Sequence, residues 1–295
     1  MENSKAPRIV RAITEDGSAW VMFEEATEIV REAVAIHDTS PTMAAAMGRL
    51  LIGASIMGST LKNKNATLTL RVSGDGPAGT ITCVSDASGY VRGYAENPLA
   101  EPARKPNGKL NVSEAVGGGA LYVIRDSGEG EPYVGSSPLV TGEIAEDITE
   151  YYMQSEQTAT VCSLGVRITR DGVLAAGGFL VQLLPYPDET VVNQLEKNMQ
   201  NFPSVSGLLA EGKSAEDIIE LIFADIPHNL LDEREVGWQC NCSAERFEKG
   251  LASLSKKDLL ELAEEGEPIE TVCRFCRKAY HFSPETIKKL ADKKK

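Results

Sequence analysis

Four cysteines in two close pairs near the carboxyl end constrain this chain more than any other feature. "WQCNCS" places Cys240 and Cys242 on either side of one asparagine, and "VCRFC" places Cys273 and Cys276 two residues apart, with thirty residues between the pairs. Soft thiolates delivered as two pairs on separate turns can close a tetrahedral shell around Zn²⁺. Arg246, Lys249, Arg274, Arg277 and Lys278 lie close by in sequence, where positive charge lowers thiol pKa and offsets a shell that stays negative with its metal. His281 is an alternative ligand, although four sulfurs already fill the shell. A closed structural zinc ribbon is the plain reading. Against it, Cys-x-Cys is tighter than the common spacing, and each pair is close enough for its own disulfide if the turn permits.

The other two cysteines, Cys83 and Cys162, each sit in a strand-like apolar run and read as inert small hydrophobes. His37 and His228 carry no ligand pattern and read as surface or capping residues. With three histidines, no Ser/His/Asp grouping and no H-E-x-x-H, histidine-based acid-base chemistry has few options. "GDGPAG" satisfies G-x-G-x-x-G at Gly74, Gly76 and Gly79, but strands flank it on both sides, so it reads as a hairpin turn. "VGGGAL" at Gly117 to Gly119 lacks the lysine of a phosphate loop and reads as a flexible loop.

A length of 295 residues suits about two domains with a real core. The amino terminus shows no apolar run after its charges, and the longest apolar stretches fall short of the roughly 18 residues that span a bilayer. The expectation is a soluble, unexported chain, where clustered cysteines are metal ligands or redox sensors. The formal charge of -13 argues against nucleic acid as the main partner. Lys+Arg against Asp+Glu count 15 to 22 over residues 1–184, 3 to 11 over 185–235, and 12 to 10 over 236–295. The middle segment is therefore acidic and the cysteine-bearing tail slightly basic.

Apolar spacing predicts an amphipathic helix from Phe23 to His37, and Pro41 opens a second, buried helix through "TMAAAMGRLLIGASIMGSTL". Residues 66–96 alternate between glycine turns and read as an antiparallel meander. Strand-like "GALYVIRD" and "EPYVGSSPLV" follow, then a helix over "GEIAEDITEYYMQSEQ", then a hairpin with Asp-Gly at its turn. The class is α+β: an antiparallel-sheet core domain with helices over 1–184, a helical linker over 185–235 after "PYPDE", and a small zinc-binding domain over 236–295. Two short amphipathic helices in the linker, Glu189 to Asn201 and one after Ser214, need a surface to cover their apolar stripes. Trp238, two residues before Cys240, is expected to pack within the zinc-organised tail.

The motifs together resemble the redox-regulated 33-kilodalton chaperonin family, heat shock protein 33. "WQCNCSAERF" and "VCRFCRKAYHF" resemble its two zinc-binding motifs, "EYYMQSEQ" and "AAGGFLVQLLP" its core signatures, and "GDGP" and "KPNGKLNV" its loops. The resemblance implies a cytoplasmic, ATP-independent holdase, not an enzyme, that is idle when reduced and zinc-bound. Oxidation then releases one zinc per chain, forms disulfides and exposes surface for unfolding clients. On that pattern Cys240, Cys242, Cys273 and Cys276 are both ligands and switch, paired as Cys240–Cys242 and Cys273–Cys276, and the active form is a homodimer. No nucleic acid and no membrane partner is implied. Two other classes stay open: a thiol-disulfide exchange enzyme at Cys273-x-x-Cys276, which needs a strand-to-helix turn, and a zinc-ribbon nucleic-acid module.

Overall fold

The computed structural model describes residues 6–294, which fall into two compact units dividing between Gln239 and Cys240. The first unit begins with a hairpin, β1 (Arg8–Thr14) and β2 (Ala19–Glu25). Both faces of this hairpin are buried. Ile9 and Met22 join one apolar cluster, while Val10, Ala12, Val21 and Phe23 join another. Phe23 and Glu24 therefore belong to a strand, and the first helix, α1, runs only from Thr27 to His37. The helical spacing from Phe23 onward is an accident of a strand buried on both sides, which shows no clean alternation.

Helix α2 (Pro41–Gly58) starts with Pro41 at its first position and Ser40 accepting the Met43 N–H at 3.1 Å. It is buried on almost every side, as its small and apolar residues require. The meander follows as β3 (Thr67–Gly74), β4 (Thr80–Asp86) and β5 (Val91–Ala95). After α3 (Val112–Val116), strands β6 (Gly119–Asp126) and β7 (Tyr133–Pro138) complete a five-stranded antiparallel sheet of order β5-β4-β3-β6-β7. The glycine-rich stretch at 117–119 is not a flexible loop. Its Gly118 N–H donates to Asp75 Oδ1 at 2.7 Å, and a Cβ on Gly74 would lie 1.9 Å from the Val116 carbonyl oxygen. The two glycine turns pack backbone against backbone, which only glycine permits.

Helix α4 (Ala145–Tyr151) continues into a π-helical turn at Tyr152–Glu156. Buried Asp147 organises its approach by accepting the N–H groups of Val140, Thr141 and Ile144 at 2.8–3.0 Å. The hairpin of β8 (Thr160–Thr169) and β9 (Gly172–Leu183) turns at Arg170-Asp171, one position before the Asp-Gly pair, with Gly172 paired to Thr169, and β9 pairs with β2.

Residues 185–235 form α5 (Glu189–Met199), α6 (Val205–Ala210), α7 (Ala215–Ile222) and β10 (His228–Glu235). The apolar stripes find their surface on the sheet that holds β1, β2 and β9. Leu195, Val205, Leu208, Ile218, Ile219, Ile222 and Phe223 bury against Val10, Val21, Phe23, Phe179 and Val181. Strand β10 pairs with β1 at the edge of a second five-stranded sheet, β10-β1-β2-β9-β8. Arg8 fastens the corner, reaching Glu25 at 3.0 Å, Glu216 at 2.8 Å and Glu233 at 2.5 Å, and Arg11 pairs with Asp232.

Beyond β10 the chain crosses to the other sheet. The Val91 N–H donates to the Gly237 carbonyl at 2.9 Å, and the Gln239 N–H donates to the Val91 carbonyl at 3.0 Å. Trp238 packs edge-on against His37, ring centroids 6.1 Å apart. Both departures from expectation have one cause: the apolar groove beside β5 takes the indole, so Trp238 belongs to the first unit, and it covers His37, which is buried and not a surface residue.

The second unit contains α8 (Ala244–Leu251), α9 (Lys256–Glu264), the hairpin β11 (Ile269–Val272) and β12 (Ala279–Phe282), and α10 (Pro284–Asp292). Its own core is six residues: Leu259, Ala263, Phe282, Ile287, Leu290 and Ala291. Among the described residues no helix is long and apolar enough to cross a membrane.

Candidate metal centre

Two short turns bring the paired cysteines together. Cys273 and Cys276 occupy the turn between β11 and β12, closed by the Cys273 N–H to the Lys278 carbonyl at 2.9 Å and the Arg277 N–H to the Cys273 carbonyl at 2.8 Å. Arg277 completes the reversal in the left-handed region at φ 60°. Cys240 and Cys242 precede α8, whose cap Ser243 accepts the Arg246 N–H at 3.3 Å. Arg246 Nη1 reaches back to the Asn241 carbonyl at 3.0 Å and to its side-chain oxygen at 2.7 Å, fixing the residue between the two thiols.

The four Sγ atoms all lie within 4.8 Å of one another. Across the pairs, Cys240 Sγ lies 3.7 Å from Cys273 Sγ and Cys242 Sγ 3.4 Å from Cys276 Sγ. Both exceed the roughly 2.05 Å of a disulfide, and all four are free thiols. Sulfurs at about 2.3 Å from a tetrahedral zinc stand about 3.8 Å apart, so the group has the size of a zinc shell made of four thiolates. Cys273 is buried and the other three are half-buried.

Backbone N–H groups point at two of the sulfurs, that of Cys242 at Cys240 and that of Lys278 at Cys276. Burial nevertheless pushes the Cys240 and Cys276 thiols up. Burial opposes ionisation of Cys242 too, but hydrogen bonds from Tyr280 and the neighbouring thiols overcome it and lower that thiol to about 7. The lowered thiol is the one whose sulfur Tyr280 contacts at 3.1 Å. The Tyr280 ring rests on Phe247 at 5.0 Å, with Lys278 Nζ 5.2 Å from its centroid. No local pattern marks Tyr280: it lies 38 positions from Cys242 and only the hairpin register brings them together.

Other sequence candidates lie apart. His281 stands on β12 with Nε2 3.6 Å from Glu270 and is not in the four-sulfur group. Cys83 and Cys162 are on β4 and β8 of the first unit, Cys83 fully buried and Cys162 half-buried against the core, and burial pushes both thiols up. His228 on β10 holds the Ile226 carbonyl through Nδ1 at 2.9 Å. The Cys273-x-x-Cys276 motif sits on a hairpin turn and not at a strand-to-helix junction, so it lacks the setting of a thiol-disulfide exchange enzyme.

A model of the Hsp33 protein family matches residues 8–283, so the match takes in both glycine turns, the segment 185–235 and all four clustered cysteines. The chain belongs to the Hsp33 family. A 33 kDa chaperonin of Clostridioides difficile is 44% identical over 280 residues, covering 95% of this chain and 96% of that protein. One of Clostridium botulinum is 42% identical over 282 residues, covering 95% of each. The crystal structure of the Hsp33 homologue of Thermotoga maritima superposes with a TM-score of 0.90 at 35% identity, covering 98% of each chain. As an Hsp33 family member the protein is a chaperone, and its four cysteines form a group able to hold a metal ion.

Proposed function

We propose that the protein is a redox-regulated, ATP-independent holdase of the cytoplasm that binds unfolding client proteins and has no enzymatic reaction. In this reading Cys240, Cys242, Cys273 and Cys276 hold one Zn²⁺ per chain when reduced. The metal supplies a cross-link that organises the unit beginning at Cys240 and keeps the thiolates from oxidation. Peroxide converts two thiols to one disulfide, itself reduced to two waters, so two equivalents close Cys240–Cys242 and Cys273–Cys276 and release the metal. Residues 185–235 then act as a conditional linker that leaves the 1–184 core and exposes apolar surface, and the active form is a homodimer.

The observation that carries the reading is four free thiols within 4.8 Å of one another on a unit with a six-residue core. Disulfides across loops of three or four residues contribute only about 1.5–2 kcal/mol each, against roughly 10–16 kcal/mol for structural zinc. The apolar stripes buried under α5, α6 and α7 are the surface available for release.

The test is metal analysis with thiol titration. The reduced protein should carry one zinc per chain and lose it together with four titratable thiols on oxidation, and peptide mapping should recover the two within-pair disulfides. A reduced preparation without metal, or a Cys240→Ser/Cys273→Ser variant that keeps zinc, contradicts the metal site. Disulfides linking Cys240 to Cys273 contradict the pairing.

A further inference from the structure

We propose that the first unit carries a second ligand site, separate from the thiols, for a compact oligophosphate of the diphosphate class. A cavity of about 640 Å³ opens between α2, the loop at 104–110, β8 and the start of α6. Arg49, Arg104, Lys105, Lys109 and Arg167 line it. Only Glu143 and Glu146 oppose them among the lining residues, so three positive charges are in surplus in a chain of formal net charge -13.

One carboxylate is already committed. Arg49 Nη1 and Lys105 Nζ each meet Glu143 at 2.5 Å, and these contacts fix α2 to the loop. They leave Arg49 Nε buried with no hydrogen-bond partner. Arg104 Nη1 donates to the Gly108 carbonyl at 3.1 Å, which closes the loop on itself and holds its cations at the cavity mouth. Guanidinium groups engage paired oxygens of a phosphate, and lysines add point charge. A diphosphate concentrates several charges in few atoms and so matches the surplus. The volume also admits a diphosphate that ends a larger molecule.

Ser204 and Ser206, at the start of α6, form one wall, and α2 and β8 form the others. A bound anion therefore touches both the sheet-and-helix core and the segment 185–235, and holds them together. That coupling rests on the conditional-linker reading given above, whereas binding itself does not.

The experiment is calorimetric titration of the reduced full-length protein with inorganic pyrophosphate, adenosine diphosphate and citrate. One pyrophosphate per chain is expected, weakening as salt rises. Arg104→Gln with Arg167→Gln should weaken it at least tenfold, with Lys109→Gln as a second variant should the pair fold poorly. Adenosine diphosphate binding as tightly as pyrophosphate, or more so, assigns the diphosphate end of a larger molecule; pyrophosphate alone assigns a free diphosphate. No binding at millimolar pyrophosphate, binding untouched by the variants, or equal binding of citrate overturns the proposal. Slower amide exchange in α6 with pyrophosphate present reports the coupling, and its absence alongside binding refutes the coupling but leaves the site.

Discussion

Replacing Cys240 and Cys273 by serine in the reduced protein should unfold residues 240–294 while leaving the first unit intact. The magnitude follows from how little else holds the second unit. Its core is Leu259, Ala263, Phe282, Ile287, Leu290 and Ala291, of which two are alanines. Helix α8 buries no residue completely. Roughly 55 residues at typical domain stability amount to about 3–8 kcal/mol. Structural zinc contributes about 10–16 kcal/mol, so losing it exceeds everything the fold has in reserve. Two short-loop disulfides, worth about 3–4 kcal/mol together, do not restore it. The same unfolding should therefore follow peroxide treatment. Hydrogen exchange resolved by segment is the assay: amides of α9 and α10 should lose protection, and those of β2 and β9 should keep it. Protected α9 and α10 in the double variant, or after all four thiols are oxidised, would refute the reasoning. Trp238, measured with Trp20→Phe, adds a control. Because it packs on His37, its emission should not follow unfolding of 240–294 alone, and a red-shift would mean that residues 236–239 have left Val91.

Phe223 is 1% exposed beneath the helical segment, and Phe223→Ala should cost about 3–5 kcal/mol. Protease cleavage between Pro185 and Glu235 should then be faster in the reduced variant with its zinc content unchanged; an unaltered cleavage rate would show that this face does not hold the segment down. Glu24 is fully buried with neither carboxylate oxygen hydrogen-bonded, the Ser55 hydroxyl donating instead to the Gly89 carbonyl at 2.7 Å, and burial pushes its carboxyl well above the ordinary value of 4.5. A raised folded-state pKa means the folded form binds the extra proton, so stability present at low pH is lost as pH rises above about 4.5, by up to ~1.4 kcal/mol per unit. Urea unfolding of Glu24→Gln from pH 4 to 8 should show a gain over the parent that grows with pH, and a constant difference would contradict the assignment.

What could be read from the sequence was what short-range chemistry dictates. Pro41 and Ser40 mark α2, Asp171-Gly172 marks where the β8–β9 turn ends and β9 begins, and glycine punctuation marks the meander. The cysteine spacing located the four-thiol group able to hold a metal ion, because a ligand pair is a local motif. Elements whose signal is spread across the chain escaped. The β1–β2 hairpin is buried on both faces and so lacks alternation. Strand β10 reads as a charged, exposed stretch, "HNLLDERE", because its Glu233 and Asp232 answer Arg8 and Arg11 more than 200 positions away. The glycines at 117–119 looked mobile because their partner, the 74–76 turn, is distant in sequence. Trp238 and Tyr280 follow the same rule: each is defined by a contact with Val91 or Cys242 that no local pattern encodes.

The central claim is that the thiol group governs chaperone activity, and the most direct measurement is suppression of aggregation of an unfolding model protein by reduced and by peroxide-treated samples without ATP. Peroxide-treated protein should prevent light scattering near stoichiometric ratio and lose that ability when reduced again with added zinc, while the reduced protein leaves aggregation unchanged. Equal suppression by both forms, or activation by peroxide that persists when Cys240, Cys242, Cys273 and Cys276 are all serine, would contradict it.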